Sequence, residues 1–455
     1  MSDNVYVNLS NGHKYARCDI KADENIIKYG FPIGHALCDI KKGEHVHSHN
    51  LKTNLKGSVD YTYKYAAGTI ESKSTDKTIL AYERKNGEIG IRNDIWIINT
   101  VGCVNKSAEI IARQTGAFSF CHPFGCSQLG DDLKTTQKIL AALVNHPNAG
   151  GVLVLGLGCE NNNIEAFKPF LGDYDKSRVR FLNCQDCNDE ISEGIGIVNE
   201  LKAQADLQKR KPVSLSKLRI GLKCGGSDGY SGITANPLVG TVCNRLTSLG
   251  ASCALTEVPE MFGAETLLME RCKDKEIFDK TVNMINSFKQ YFVRHSQPIC
   301  ENPSPGNKEG GITTLEEKSL GCIQKGGLAQ ITDVLNCGDK ISKCGLSLIN
   351  GPGNDMVAVT NLASCGVHMI LFTTGRGTPL GGPVPTVKIS TNSALAQKKQ
   401  NWIDFDAGKL LDGYPAQDLS SELFDMITDI AGGRQTKNEQ NGYREISIFK
   451  EGVVL

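Results

Sequence analysis

The chain carries no charge bias: Lys+Arg and Asp+Glu each number 50, and no basic block interrupts the sequence. This excludes the electrostatic footprint of a nucleic-acid or acidic-lipid binder. Apolar runs are short, the longest covering 151–159 and 367–372, well below the roughly 20 residues that a membrane-spanning helix needs. The first residues, Met1-Ser-Asp-Asn, have neither the basic nor the apolar region of a secretory signal, which gives the expectation of a cytoplasmic protein. Neither G-x-G-x-x-G nor G-x-x-x-x-G-K-[ST] occurs, so dinucleotide and P-loop readings lose their usual support. No internal repeat or low-complexity stretch stands out.

What the chain does have is cysteine. Its 455 residues include 17 Cys and 48 Gly, with 40% hydrophobic and 22% charged residues, near globular averages. The length accommodates about three domains of roughly 150 residues. In a reducing compartment the cysteines are thiols and not a disulfide framework, which raises the question of a metal.

The fold class expected is α/β: a small N-terminal all-β module followed by two Rossmann-like α/β domains with mainly parallel sheets. Residues 1–57 are dense in turn signals such as Asn11-Gly12, Tyr29-Gly30 and Lys42-Gly43, separated by short apolar pieces without helical period. Residues 58–90, polar and rich in Lys, Tyr, Ser and Thr, read as a linker. Strands alternate with helices over 91–215, and the pattern restarts over 216–455, which predicts a parallel sheet with covering helices in each.

In open parallel sheets, ligands bind beyond the carboxyl ends of the strands. The loops expected there read Thr100-Val-Gly-Cys103, Cys121-His122-Pro-Phe-Gly-Cys126, Gly156-Leu-Gly-Cys159-Glu160, Cys184-Gln-Asp-Cys187 and Lys223-Cys224-Gly-Gly-Ser227-Asp228. A free cysteine is most often a small buried hydrophobe, and Cys243, Cys253, Cys272, Cys322, Cys344 and Cys365 sit in contexts that fit packing. Cys184-x-x-Cys187 is half of a zinc pattern and also admits a redox pair. Asn236-Pro237 begins a helix whose free N–H groups suit an anion. Arg376, after the apolar run 367–372, can hold a carboxylate bidentately. Asn302-Pro-Ser-Pro-Gly-Asn307-Lys308 is a polar loop with a cation.

Gly12-His13-Lys14, Tyr29-Gly-Phe-Pro-Ile-Gly-His35 and Gly43-Glu-His-Val-His47 together resemble a SAF-type β-clip module. That module, the cysteine motifs above, Cys224-Gly-Gly-Ser-Asp-Gly, Ser231-Gly-Ile-Thr-Ala-Asn-Pro237, the 302–308 loop and Thr373-Thr-Gly-Arg376-Gly resemble the altronate/galactarate dehydratase family, in order from about residue 10 to 410. The resemblance implies a hydro-lyase that eliminates water from a sugar acid to give a 2-keto-3-deoxy acid. D-Altronate, giving 2-keto-3-deoxy-D-gluconate, is the expected substrate and galactarate the alternative. It also implies iron (Fe²⁺), with Mn²⁺ as a substitute; a thiolate-rich site also admits an iron–sulfur cluster.

Removing a proton beside a carboxylate and expelling hydroxide requires charge stabilisation, a base and an acid, and a metal can supply the first. The metal is expected at Cys103, His122, Cys126 and Cys159. His13, Lys223 and Glu160 are candidates for acid–base work. Ser227, Asp228, Asn236, Lys308 and Arg376 are candidates for binding the substrate. His35, His45 and His47 could act with His13 if the module folds over the cleft. A sugar-acid binding protein without catalysis and a thiol oxidoreductase using Cys184 and Cys187 are competing readings. The partners expected are a small sugar acid and a second copy of the chain, as a homodimer, with neither nucleic acid nor membrane.

Overall fold

The structure, a computed structural model, describes every residue except 56, 58, 67, 68 and 71–74. At the N-terminus, strands Val5–Val7, Lys14–Ala16 and His45–Val46 form one antiparallel sheet, and Asn25–Lys28, Phe31–Ala36 and Leu51–Lys52 form another. The strands are short because a turn signal interrupts each one. Their inward residues, among them Val5, Ile20, Ile26, Ile33, Ile40, Val46 and Leu51, are all buried in the core shared with the C-terminal domain. Gly34 has φ +141°, and a Cβ there would sit 2.3 Å from the Lys52 carbonyl oxygen, so only glycine lets the second sheet close.

The expected linker over 58–90 needs correction. It contains strands Thr78–Glu83 and Ile89–Gly90, which join Lys211–Ser214 in a three-stranded antiparallel sheet. Along Thr78–Glu83 only Ile79 and Ala81 are buried. The strand is half-solvated, so its sequence reads as polar. Part of the linker expectation, at 58, 67, 68 and 71–74, lies outside the described residues.

The first α/β domain is a four-stranded parallel sheet in the order Phe118–Phe120, Asp94–Asn99, Ala149–Gly156, Val179–Asn183. Helices Asn105–Thr115, Gly130–Val144, Ile164–Leu171 and Glu190–Asp206 connect and cover it. Ala149–Gly156 is buried along its whole length, as the continuous apolar run predicts for a central parallel strand.

The second α/β domain is a seven-stranded parallel sheet in the order Ile331–Leu335, Gly345–Ile349, Ser252–Leu255, Arg219–Cys224, Met369–Thr374, Thr386–Ser390, Phe405–Asp406. The chain leaves Arg219–Cys224 towards Ser252–Leu255 on one side, while Met369–Thr374 pairs on the other. The strand order therefore reverses beside Arg219–Cys224. A reversal of this kind opens a crevice at the carboxyl ends of the two diverging strands.

Candidate active site

The crevice is floored by Cys224, Gly225 and Gly226. The loop is pinned to its neighbour by Gly225 N–H donating to Thr373 O (3.0 Å) and Gly375 N–H donating to Gly226 O (3.0 Å). A Cβ on Gly225 would lie 2.6 Å from Asp355 Oδ2, so the close approach of that carboxylate requires glycine.

Lys223 is fully buried, and its ammonium donates to Glu257, to Asp355 Oδ1 (2.7 Å) and to the Cys224 carbonyl (2.6 Å). Burial by itself would lower its pKa. Glu257, Asp355 and Glu260 outweigh burial and hold it well above the lysine range. Glu257 follows the strand Ser252–Leu255 with φ +71°, a left-handed conformation that costs about 1 kcal/mol in a non-glycine residue. Its contacts to Lys223 and Lys325 hold it there.

The helix Leu315–Cys322 and the 3₁₀ turn Ile323–Gly326 supply the opposite wall. Lys318, Cys322 and Lys325 stand at i, i+4 and i+7, on one helical face. Lys318 Nζ lies 2.8 Å from Glu260 Oε1, and Lys325 Nζ donates to Cys224 Sγ at 2.7 Å. The sulfurs of Cys224 and Cys322 are 3.2 Å apart, and Glu260 Oε2 lies 3.3 Å from the first and 3.1 Å from the second. Burial raises the Glu260 carboxyl, but Lys318, Lys223 and Lys325 pull it down to about 2. The Glu257 carboxyl is shifted upward, first by burial and then by Glu260 beside it. The Cys322 thiol is pushed up by its contact with Cys224 and by burial.

Glu260, Lys318, Asp355, Asn302, Asn307 and Gly226 line a cleft of about 510 Å³ that also has an apolar wall at Phe288, Tyr291 and Phe292. Lys318 additionally donates to Asn302 Oδ1 (3.0 Å) and Asn307 Oδ1 (3.2 Å). The floor therefore offers fixed positive charge, one partly open carboxylate and two thiols, a combination suited to an anionic substrate that must lose a proton.

Models of three successive domains match the chain: the altronate/galactarate dehydratase SAF domain over 4–54, the D-galactarate dehydratase/altronate hydrolase second domain over 81–206, and the D-galactarate/altronate dehydratase C-terminal domain over 215–454. The chain belongs to the altronate/galactarate dehydratase family. It is 52% identical to the altronate dehydratase of Escherichia coli, covering 98% of this chain and 92% of the relative. It is 49% identical to that of Bacillus subtilis, covering 100% and 94%. Identity to the galactarate dehydratase (L-threo-forming) of Escherichia coli is 30%, covering 98% and 91%.

In this member of the dehydratase family, the residues expected from sequence separate into three groups. The first group lies at the crevice: Lys223 in its floor, Ser227 with a buried hydroxyl that has no hydrogen-bond partner among the described residues, and Arg376 at the rim, ion-paired with Glu309 at 2.8 Å. The Arg376 Cβ lies 3.3 Å from where a Cβ on Gly226 would sit.

The second group is the N-terminal module, which docks on the segment carrying Lys308. His47 Nε2–H donates to the Lys308 carbonyl (2.9 Å), and Lys14 donates to the Gly311 carbonyl (2.9 Å). His13 Nδ1 lies 3.1 Å from His45 Nε2. Burial, then His13 and His47, lower His45 to about 4, so this imidazole is neutral at pH 7. Lys14 and Lys28 both pair with the buried Glu317, at 2.8 and 2.7 Å.

The third group is tied into hydrogen bonds that hold loops in shape. Glu160 accepts from Thr100 Oγ1 (2.6 Å), Leu157 N–H (3.1 Å) and Gly158 N–H (2.7 Å). His122 donates from Nε2 to Asn99 O (2.8 Å) and accepts at Nδ1 from Phe124 N–H (3.2 Å), which leaves no ring nitrogen for a metal. Asn236 donates to Gly321 O (3.0 Å) and accepts from Thr373 Oγ1 (2.6 Å). Asp228 accepts from Ser231, Tyr230 N–H, Thr391 and Asn392, and so ties the 224–231 loop to the end of Thr386–Ser390.

Cys103, Cys126 and Cys159 are exposed on loops of the first α/β domain. Among the described residues, the group of ion-sized spacing is instead Cys224, Glu260 and Cys322, whose donor atoms all lie within 4.8 Å of one another. Two sulfurs and a carboxylate oxygen are donors that iron accepts. The charges also fit: Glu257, Glu260 and Asp355 balance Lys223, Lys318 and Lys325, so a divalent ion is balanced by the two thiol protons it displaces. Sequence reasoning assigned Cys322 to packing and passed over Glu257, Glu260, Lys318, Lys325 and Asp355. The helical spacing 318, 322, 325 was the signal that could have found half of them.

Proposed function

We propose that this chain dehydrates D-altronate to 2-keto-3-deoxy-D-gluconate. The observation that carries the reading is the 52% and 49% identity to two altronate dehydratases over nearly the whole chain, against 30% to a galactarate dehydratase. The cleft supports catalysis over mere binding, because a binding site has no need of a buried array of lysines, carboxylates and thiols.

The reaction removes the proton from C2, forms a C2=C3 double bond as the C3–O bond breaks, and releases water. The resulting enol tautomerises to the 2-keto acid. Asp355 is the proton acceptor best placed for this: it lines the cleft, and its side chain is 36% exposed while Glu257 is wholly buried. Lys223 fixes its orientation. Lys318, held protonated mainly by Glu260 against the effect of burial, offers charge to the developing enediolate and a proton to the departing oxygen. Arg376 and the Lys308 side chain orient the substrate from the rim. Iron, with Mn²⁺ as a substitute, would be held by Cys224, Glu260 and Cys322 and would supply Lewis-acid stabilisation of negative charge on the substrate. A cytoplasmic homodimer belongs to the same reading, and all 17 cysteines being free supports a reducing compartment.

The test is 2-keto acid release from D-altronate and galactarate by protein loaded anaerobically with Fe²⁺. Faster turnover of D-altronate is the expected result. Turnover of galactarate alone would move the assignment to the alternative, and no product from either would remove it.

A further inference from the structure

A second cleft, of about 660 Å³, lies between the two α/β domains at the amino ends of their strands. Arg219 opens the strand Arg219–Cys224, Arg178 directly precedes Val179–Asn183, and Pro147 lies just before Ala149–Gly156. A strand of six residues spans about 20 Å, so this cleft is separated from the active crevice by the length of the strand.

Its walls carry seven cationic side chains but only three carboxylates, Glu88, Asp173 and Asp175. Two of those carboxylates are shared: Glu88 pairs with both Arg219 and Lys340, and Asp175 with both Lys85 (3.4 Å) and Arg178 (3.7 Å). Lys176 pairs with no carboxylate among the described residues. Arg84, 6% exposed, sends its hydrogen bonds to neutral oxygens of Pro147, Asn93, Gln208 and Arg92. Burial, with Arg178 as the next cause, pulls Arg84 down to about 9. Arg178 is 8% exposed, and its buried Nε has no hydrogen-bond partner among the described residues, Asp175 being 3.7 Å away. A buried guanidinium with no carboxylate partner among the described residues, as at Arg84, is costly in a folded protein. Phe170 and Tyr174 add an aromatic wall.

We propose that this cleft binds a small phosphate-bearing molecule, free or esterified to a sugar, between the two α/β domains. Lys138 pairs with Asp339 (3.2 Å) from outside the lining, which leaves an excess of three positive charges; that excess calls for a ligand carrying at least two negative charges, and guanidinium matches phosphate geometry. A singly charged sugar acid leaves most of that excess uncompensated, which separates this site from the crevice.

The experiment is calorimetric titration of the full chain with pyrophosphate and, separately, glucose 6-phosphate at 0.15 M salt, with sulfate at matched ionic strength as control. Binding of at least one phosphate probe with Kd below about 1 mM is expected. In Lys85→Glu with Lys176→Glu, both exposed, that binding weakens about tenfold or more while dehydratase activity persists. A stronger pyrophosphate signal indicates a free polyphosphate, and a stronger sugar-phosphate signal indicates an ester. Absence of binding, equal binding of sulfate, or affinity unchanged in the double variant each overturns the proposal.

Discussion

Lys325 Nζ stands 2.7 Å from the sulfur of Cys224, 101 positions away in sequence, inside a fully buried cluster. The contact joins the end of the central strand to the last turn of the helix opposite, and it sets the charge balance of the whole crevice.

The two candidate thiol sets can be told apart by metal analysis. Cys224→Ser and Cys322→Ser are expected to lower iron content at least about tenfold, whereas Cys103→Ser, Cys126→Ser and Cys159→Ser retain it. Iron and sulfide measurements on anaerobically prepared protein read this directly. Full retention in both buried-thiol variants would return the metal to the first α/β domain.

Lys223→Met leaves Glu257 and Asp355 without their shared ammonium. Breaking a buried ion pair from one side costs roughly 3–5 kcal/mol, so the variant should unfold at distinctly lower urea. Asp355→Asn loses only the partly exposed partner and should stay close to native stability while turnover falls by about 10² or more. Comparable turnover in Asp355→Asn and the parent protein would exclude Asp355 as the proton acceptor.

Glu160→Gln separates a loop clamp from a general base. The amide keeps one acceptor oxygen where the carboxylate uses two, so stability should fall by about 1–3 kcal/mol. Turnover of the folded variant should change by less than about tenfold, since a lost general base typically costs 10²–10⁴. Thermal melts together with kcat on altronate decide the matter.

Acid should weaken the crevice and the docked module together. The Glu260 carboxyl titrates near 2 in the fold against an ordinary value near 4.5, and Glu317 is likewise held low, by Lys14 and Lys28 against burial. The unfolded chain binds more protons in this window. The stabilisation is therefore complete above pH 4.5 and is lost as pH falls towards 2. Lys14, lowered to about 8 chiefly by burial, acts in the same sense in a second window and adds stability as pH rises from 8 towards 10.5. Urea midpoints at pH 6, 4, 3 and 9 check both windows; level midpoints between pH 5 and 3 would remove the two carboxylates as the cause.

The architecture was legible because its parts repeat simple patterns. Turn signals every few residues marked the β module, and apolar runs such as 151–156 marked central parallel strands. The site was legible only in outline. Lys223 and Cys224 read as the start of a loop, yet they are the last two residues of a strand and fully enclosed. Glu160, His122, Asn236 and Asp228 carry reactive-looking groups, but hydrogen bonding consumes them, and no spacing rule reports how many bonds a side chain already makes. Glu257 and Lys325 escaped for the converse reason: charged residues in a sequence pass for surface, and here opposite charges from distant segments bury one another.

The ion pairs of Lys14 and Lys28 with Glu317 also impose an order of events during synthesis. Lys28 and Glu317 are separated by 289 positions, which at 5–20 residues per second is a delay on the order of 15–60 s on the ribosome. Through that interval the module must keep both ammonium groups hydrated. Their transfer out of water, and with it the closing of the His47–Lys308 contact, must wait for the helix Leu315–Cys322 to be made, so the two halves of the docking surface meet only late in the making of the chain.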